Sequence, residues 1–156
     1  MANANRTEQI ERYRQGYAAI VEALKDITPA ELDAREAPGE WSPREIVHHL
    51  ADSEMTSAIR LRLLVAEENP RIVGYDQEKF ARRLYYDRPI EPSLAVFGAA
   101  RESTAAILER MTEDEWGRQG THSEIGAYSV MDWMELYAAH AHGHADQIRR
   151  ARQGEG

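Results

Sequence analysis

Histidines 140 and 144 stand four residues apart in the stretch YAAHAHGHADQIRRA, which runs from Tyr137 to Ala151. On a helix that spacing stacks two side chains one turn apart, so both rings can point at the same spot. A third candidate, His49, lies far upstream in WSPREIVHHLADSE, from Trp41 to Glu54. If the two helices lie side by side, His49, His140 and His144 close on one point. A single histidine on an apolar face reads most simply as a core imidazole bonded to a neighbour. Here, however, five of the six histidines fall in these two clusters. Three unliganded imidazoles buried together would leave ring nitrogens without partners at about 1–3 kcal/mol each, whereas one divalent cation satisfies a nitrogen on every ring. Three protein ligands also leave a coordination position open, as in catalytic sites, where a bound water is acidified or a substrate oxygen or sulfur is polarised. The H-x-x-x-H spacing alone is only moderately specific, and it lacks the glutamate of the H-E-x-x-H metalloproteases.

Four long helices must do the positioning. Ile10, Tyr13, Tyr17, Ile20, Val21, Leu24 and Ile27 recur at spacings of three and four, which predicts a first helix over about residues 5 to 26. Thr28-Pro29 ends it, and TPAELDA reads as a short capped turn. Ser42, Pro43 and Glu45 form a capping box that launches the second helix. Its apolar stripe runs Ile46, His49, Leu50, Ser53, Ser57, Leu61, Leu64, with His48 turned about 100° away. Asn69-Pro70 closes this helix. The connection RIVGYDQEKFARRLYYDRPIEP, with a short helix near Gln77 to Leu84, is long enough to let the third helix run in either direction. That third helix, about Pro92 to Arg110, carries Leu94, Phe97, Thr104, Leu108 and Met111 on one face together with Arg101, an unusual residue there. Thr112 to Trp116 reads as another capped turn, and GRQGTHSEIGAYS as a glycine-marked loop with room for a short extended stretch. Ser129 and Asp132 start the fourth helix, whose stripe is Val130, Trp133, Met134, Tyr137, His140, Ala141, His144, Ile148 and Ala151. With no convincing strand, repeat or low-complexity tract, the chain is expected to be all-α. The predicted fold is a four-helix bundle with a long crossover between helices two and three and short extra helical turns, in one domain over residues 1–156.

Composition narrows the function. A net charge of -8 disfavours nucleic acid as a partner, because phosphate binding requires a basic surface. No apolar run approaches the ~18 residues of a membrane span. The first residues, MANANRTEQIERY, are polar, so neither anchor nor secretory signal is expected and the cytoplasm is the expected compartment. The absence of cysteine removes disulfides, thiolate ligands and a cysteine nucleophile, so any thiol in the chemistry must come from outside. The remaining nitrogen and oxygen ligands suit Zn, Ni, Mn or Fe(II) without choosing among them.

The joint pattern resembles the DinB-like (DinB/YfiT) superfamily of small bacterial metal-binding bundles. The matching stretches are Trp41-Ser42 leading into EIVHHLADSE, then RLRLL, YDQEKFARRLYY, an arginine on the third helix, HSEIG, and finally His140, His144, Gln147 and Ile148 on the fourth. The resemblance covers nearly the whole chain. It implies a four-helix bundle, commonly a homodimer, that binds a divalent metal through one histidine of helix two and two of helix four. By position these are His49, which precedes Leu50-Ala51-Asp52, with His140 and His144. His48 and His142 are surplus. His142 shares its face with Glu135, Asp146 and Arg149, and both spare rings are expected in solvent. Known relatives include thiol-dependent transferases and an isomerase that use low-molecular-weight thiols.

Further residues are candidates for the surroundings of the site. Glu54 and Arg101 match family positions and suggest an ion pair bracing helix two against helix three, against the alternative of an arginine reaching out from the bundle edge. Asp52 and Glu135 can accept a proton from a ligand imidazole, or can simply be solvated. His122, in the glycine-marked loop, and Tyr137, Trp41 and Trp133 are candidates to line a pocket, although aromatics at helical spacing more often build core. Two classes of function follow: a metal-dependent enzyme acting on a small molecule, first a thiol S-transferase with a low-molecular-weight thiol as co-substrate and alternatively a hydrolase; or a non-catalytic metal- or ligand-binding dimeric module.

Overall fold

The computed structural model describes residues 2–154. The helices are α1 (Ala2–Ala23), α2 (Pro29–Leu32), α3 (Pro43–Ala66), α4 (Gln77–Arg83), α5 (Glu91–Leu108), α6 (Glu113–Trp116) and α7 (Val130–Arg152), with strands β1 (Arg71–Ile72), β2 (Gln119–His122) and β3 (Gly126–Ser129). Four starts are set by reciprocal caps: Thr28 with Glu31, Ser42 with Glu45, Thr112 with Glu115 and Ser129 with Asp132. Each pair satisfies two backbone N–H groups that a helix start leaves without carbonyl partners.

Side-chain pairs fix the helix directions. His48 meets Ser93 at 2.7 Å, Glu54 meets Arg101, and Arg62 meets Ser103 at 3.1 Å, so residue numbers rise together and α3 runs parallel to α5. Arg12 and Ala23 of α1 accept through their carbonyls from His142 at 2.8 Å and Arg152 at 2.9 Å, so α1 and α7 are also parallel. The two pairs oppose each other: the Trp133 indole donates to the Ser57 carbonyl at 2.8 Å while His49 lies against His140 and His144. The bundle is therefore up-down-down-up, with the crossover from Glu67 to Ile90 returning the chain to the end from which α3 began.

The sequence reading expects no convincing strand beyond a short stretch in the loop before α7. Three short strands are present. β1 pairs parallel to β2, in register Arg71 with Thr121, and β2 pairs antiparallel to β3. This small sheet ties the crossover to the loop that leads into α7. Gly120 permits the approach, since a Cβ there would fall 2.4 Å from the Pro70 carbonyl oxygen.

The apolar core is split in two. Tyr13, Leu61, Leu64, Leu108, Trp133 and Met134 pack at the sheet end, and Ile20, Ile46, Leu50, Phe97, Ala141 and Ile148 at the other. Between them three of the long helices change character: Gly16 on α1, Glu54 and Ser57 on α3, Arg101 and Thr104 on α5. Arg101 pairs with Glu54 and donates to the carbonyls of Tyr13 at 2.6 Å and Tyr137 at 3.2 Å, so one guanidinium touches all four long helices. Its charge lies 4.2 Å from the Tyr13 ring centre. A buried charge is tolerated only when paired and hydrogen-bonded, and here it is both. Burial nevertheless pushes the Glu54 carboxyl above its ordinary range, with Arg101 opposing.

Candidate metal centre

His140 and His144 stand one turn apart on the inner face of α7, and the antiparallel α3 presents His49 opposite them. Ring centres are 4.5 Å apart for His140 and His144, 5.5 Å for His49 and His140, and 4.9 Å for His49 and His144. One ring nitrogen from each lies within 4.8 Å of the other two, a grouping that can hold a metal ion. The Nε2 atoms of His140 and His144 are 3.2 Å apart. Metal–nitrogen bonds of 2.0–2.1 Å in tetrahedral geometry place ligand nitrogens roughly 3.3 Å apart, so this pair already stands at ligating separation.

The hydrogen bonds prepare lone pairs. His144 Nδ1 donates to the Gln147 side-chain oxygen at 2.7 Å, which leaves its Nε2 unprotonated in the neutral ring and turned toward His140. His49 Nδ1 is buried with no hydrogen-bond partner. Burial, reinforced by the mutual repulsion of protonated rings, lowers the His49 imidazole to about 3. His140 is lowered by burial first, then by His144 and His49 and by the Arg101 charge, and His144 by burial against the opposing pull of Gln147. All three rings are thus neutral at pH 7, the protonation state a metal requires. Three neutral nitrogen donors, one with an orphaned buried nitrogen, fit a divalent ion.

The aromatics divide between site and core. Trp41 packs 4.7 Å from His49 and Tyr137 packs 5.5 Å from His140, so both flank the imidazoles. Trp133 is buried in the sheet-end core with its indole bonded to Ser57. A surface pocket of about 190 Å³, lined by Gly39, Glu40, Trp41, Gln77, Glu78, His144 and Gln147, reaches the site at His144. A larger cavity of about 400 Å³, between Asp33, Arg44, Arg82, Tyr85 and Asp87, contains none of the three imidazoles.

Other candidates fall elsewhere. Asp52 accepts from the Tyr86 hydroxyl at 2.7 Å instead of from an imidazole, and Glu135 is exposed. His122 Nδ1 accepts from the Glu124 N–H at 3.1 Å and the ring lies against Tyr128, which gives it a place in the hairpin. The expectation that both spare histidines face solvent is corrected. His48 is fully buried: its Nε2 donates to the Arg88 carbonyl at 2.8 Å and its Nδ1 accepts from Ser93, because the start of α5 lies over that face of α3. His142 is half-buried and donates to the Arg12 carbonyl. Gln147 shows in the sequence as the i+3 neighbour of His144 and as one of the residues that carry the family resemblance. Tyr75 and Arg60 stand beside Tyr137; Tyr75 shows in the sequence only within the matching stretch YDQEKFARRLYY, and Arg60 carries no local signal.

Known proteins resemble this chain in sequence and in fold. The model of the DinB superfamily matches residues 12–148. An Oceanobacillus iheyensis protein named "Putative metal-dependent hydrolase" is 35% identical over 123 residues, covering 79% of this chain and 72% of its own. A Bacillus cereus protein of the same name is 30% identical over 134 residues, 86% of this chain and 78% of its own. Among solved structures, YfiT from Bacillus subtilis, described as "a probable metal-dependent hydrolase with an unusual four-helix bundle topology", superposes with a TM-score of 0.89 at 27% identity, over 95% of this chain and 86% of that one. Among the described residues no helix is long and apolar enough to cross a membrane.

Proposed function

The chain belongs to the DinB superfamily, and from that premise we propose that it is a metal-dependent hydrolase of a small molecule, with His49, His140 and His144 as its metal ligands. The observation that carries this is the convergence of three neutral imidazole nitrogens within 4.8 Å beside a pocket open to the surface. A divalent ion held there supplies Lewis-acid polarisation and an activated water. The chain's own residues do the rest. Gln147 holds the His144 tautomer, and Trp41 covers His49 and keeps bulk water from that side. Burial raises the Tyr75 phenol above its ordinary range, so it remains a protonated donor available to a developing oxyanion.

A second reading, transfer of a low-molecular-weight thiol, is favoured by one feature: half-buried Arg60 stands beside Tyr137 and offers a cation to an acidic co-substrate. The experiment that separates the readings starts with elemental analysis of protein purified without added metal. The loaded protein is then screened against ester, amide and electrophile panels with and without added thiol. Turnover without thiol supports hydrolysis, turnover that consumes thiol supports transfer, and metal content that is independent of the three histidines overturns both.

A further inference from the structure

One turn from the imidazoles lies a polar group that the metal ligands do not use. Ser53 follows His49 by four residues and Tyr137 precedes His140 by three, so both continue the ligand faces of their helices. Tyr75, brought in by the crossover just after β1, places its hydroxyl against Ser53 and near Tyr137. Tyr128 of β3 closes the far side with its ring 5.6 Å from His122.

Arg60 enters this group from α3, seven residues beyond Ser53. Helical side chains lean toward the N-terminus, which sends Arg60 back along the face that carries Ser57 and Ser53. Its guanidinium acts on the hydroxyls of both Tyr128 and Tyr137. Nη2 donates to the Val73 carbonyl at 2.9 Å, which steadies the side chain. Its Nε is buried with no hydrogen-bond partner, and the Tyr128 hydroxyl is buried against the guanidinium. Among the described residues no carboxylate pairs with Arg60. Anchoring the crossover uses Nη2, and the Tyr128 and Tyr137 hydroxyls meet the guanidinium, but neither contact accounts for Nε. The unused Nε, set among phenol hydroxyls without an acid, matches the recognition chemistry of a planar anion.

We propose that Arg60, Tyr128 and Tyr137 form a carboxylate-binding subsite beside the metal centre, so that the molecule acted on carries a carboxylate at one end and its reacting group at the other. This rests on the reading of His49, His140 and His144 as metal ligands. Glu40 and Glu78 line the pocket at His144, and their charge weighs against multiply charged anions entering there, which favours a single carboxylate over a phosphate.

The test uses zinc-loaded full-length protein and two series of metal-binding probes: monohydroxamates of the dicarboxylic acids from malonic to adipic, and the same hydroxamates ending in a primary amide. Isothermal titration calorimetry reads the affinity ratio of acid tail to amide tail at each chain length. At one length or more the acid tail binds about tenfold tighter or better, the range of a charge-assisted hydrogen bond. Arg60→Gln brings that ratio to within about twofold, and Arg60→Lys keeps only part of it because the planar fork is lost. Tyr128→Phe lowers it as well. Equal affinities at every length, or a ratio that survives Arg60→Gln, overturns the subsite and leaves the metal reading standing. Zinc uptake that does not depend on His49 overturns the metal reading and the subsite with it. If Arg60→Gln does not fold by circular dichroism, a ratio unchanged in both Arg60→Lys and Tyr128→Phe overturns the proposal.

Discussion

His144 Nδ1 and the Gln147 side-chain oxygen lie 2.7 Å apart, three residues from each other on one face of α7. That contact decides which nitrogen of His144 is free, because a ring that donates from Nδ1 offers its lone pair from Nε2. Replacing Gln147 with Leu is expected to weaken zinc binding about 10- to 100-fold with the helical fold retained, a typical cost of losing such a partner. Competition against a chelating dye checks it; unchanged affinity means that Gln147 does not orient the ring.

Two of the three histidines of α7, His144 and His142, separate site from scaffold. His144→Ala is expected to abolish stoichiometric metal, whereas His142→Ala keeps it. His142 donates to the Arg12 carbonyl, so its loss costs about 1 kcal/mol of stability and lowers the melting temperature by about 2–4 °C. Elemental analysis and thermal melts of both variants read the two effects apart.

The pH dependence follows from burial. An unfolded histidine takes up its proton near 6.5, but folded His49 does not until about 3. Between those values the unfolded chain binds more protons, so this contribution to stability is complete above pH 6.5 and declines as pH falls toward 3. Metal-free protein is expected to lose melting temperature through this window, with a shallower slope in His49→Leu. Bound metal is expected to leave in the same window, since protons compete for the same lone pairs.

Breaking the buried Glu54–Arg101 pair should be severe. Glu54→Leu leaves an uncompensated guanidinium between the two halves of the core and is expected to cost about 3–5 kcal/mol. In the double variant Glu54→Leu, Arg101→Leu no isolated charge remains, and the double is expected to recover part of that loss. Urea unfolding of the three proteins measures the coupling.

Gly16→Ala reverses the usual helix rule. Alanine normally stabilises a helix by roughly 0.5–1 kcal/mol relative to glycine. Here the added Cβ would lie 2.4 Å from Arg101 Nη1 and 2.8 Å from Ala141 Cβ, both held in the packed interior. A net loss of about 1–3 kcal/mol is expected, the range for overpacking, read as a lower denaturation midpoint.

Local chemistry made much of this protein legible from its sequence. The caps at Thr28, Ser42, Thr112 and Ser129 depend on residues three apart, and the stacking of His140 on His144 depends on residues four apart, so neither needs a neighbouring helix to be known. Periodicity likewise placed His49 and Arg101 on inner faces. The tertiary structure alone decided what each face meets. His48 is buried because α5 runs parallel to α3 and lays Ser93 and the Arg88 carbonyl over it, a direction that the long crossover left open. Asp52 is taken by Tyr86, and Arg60 and Tyr75 reach the site, because the crossover folds back and is pinned by β1 against β2. Spacing along a helix fixes the face on which a side chain lies, whereas the partner on that face is set by segments tens of residues away, whose docking no local pattern encodes.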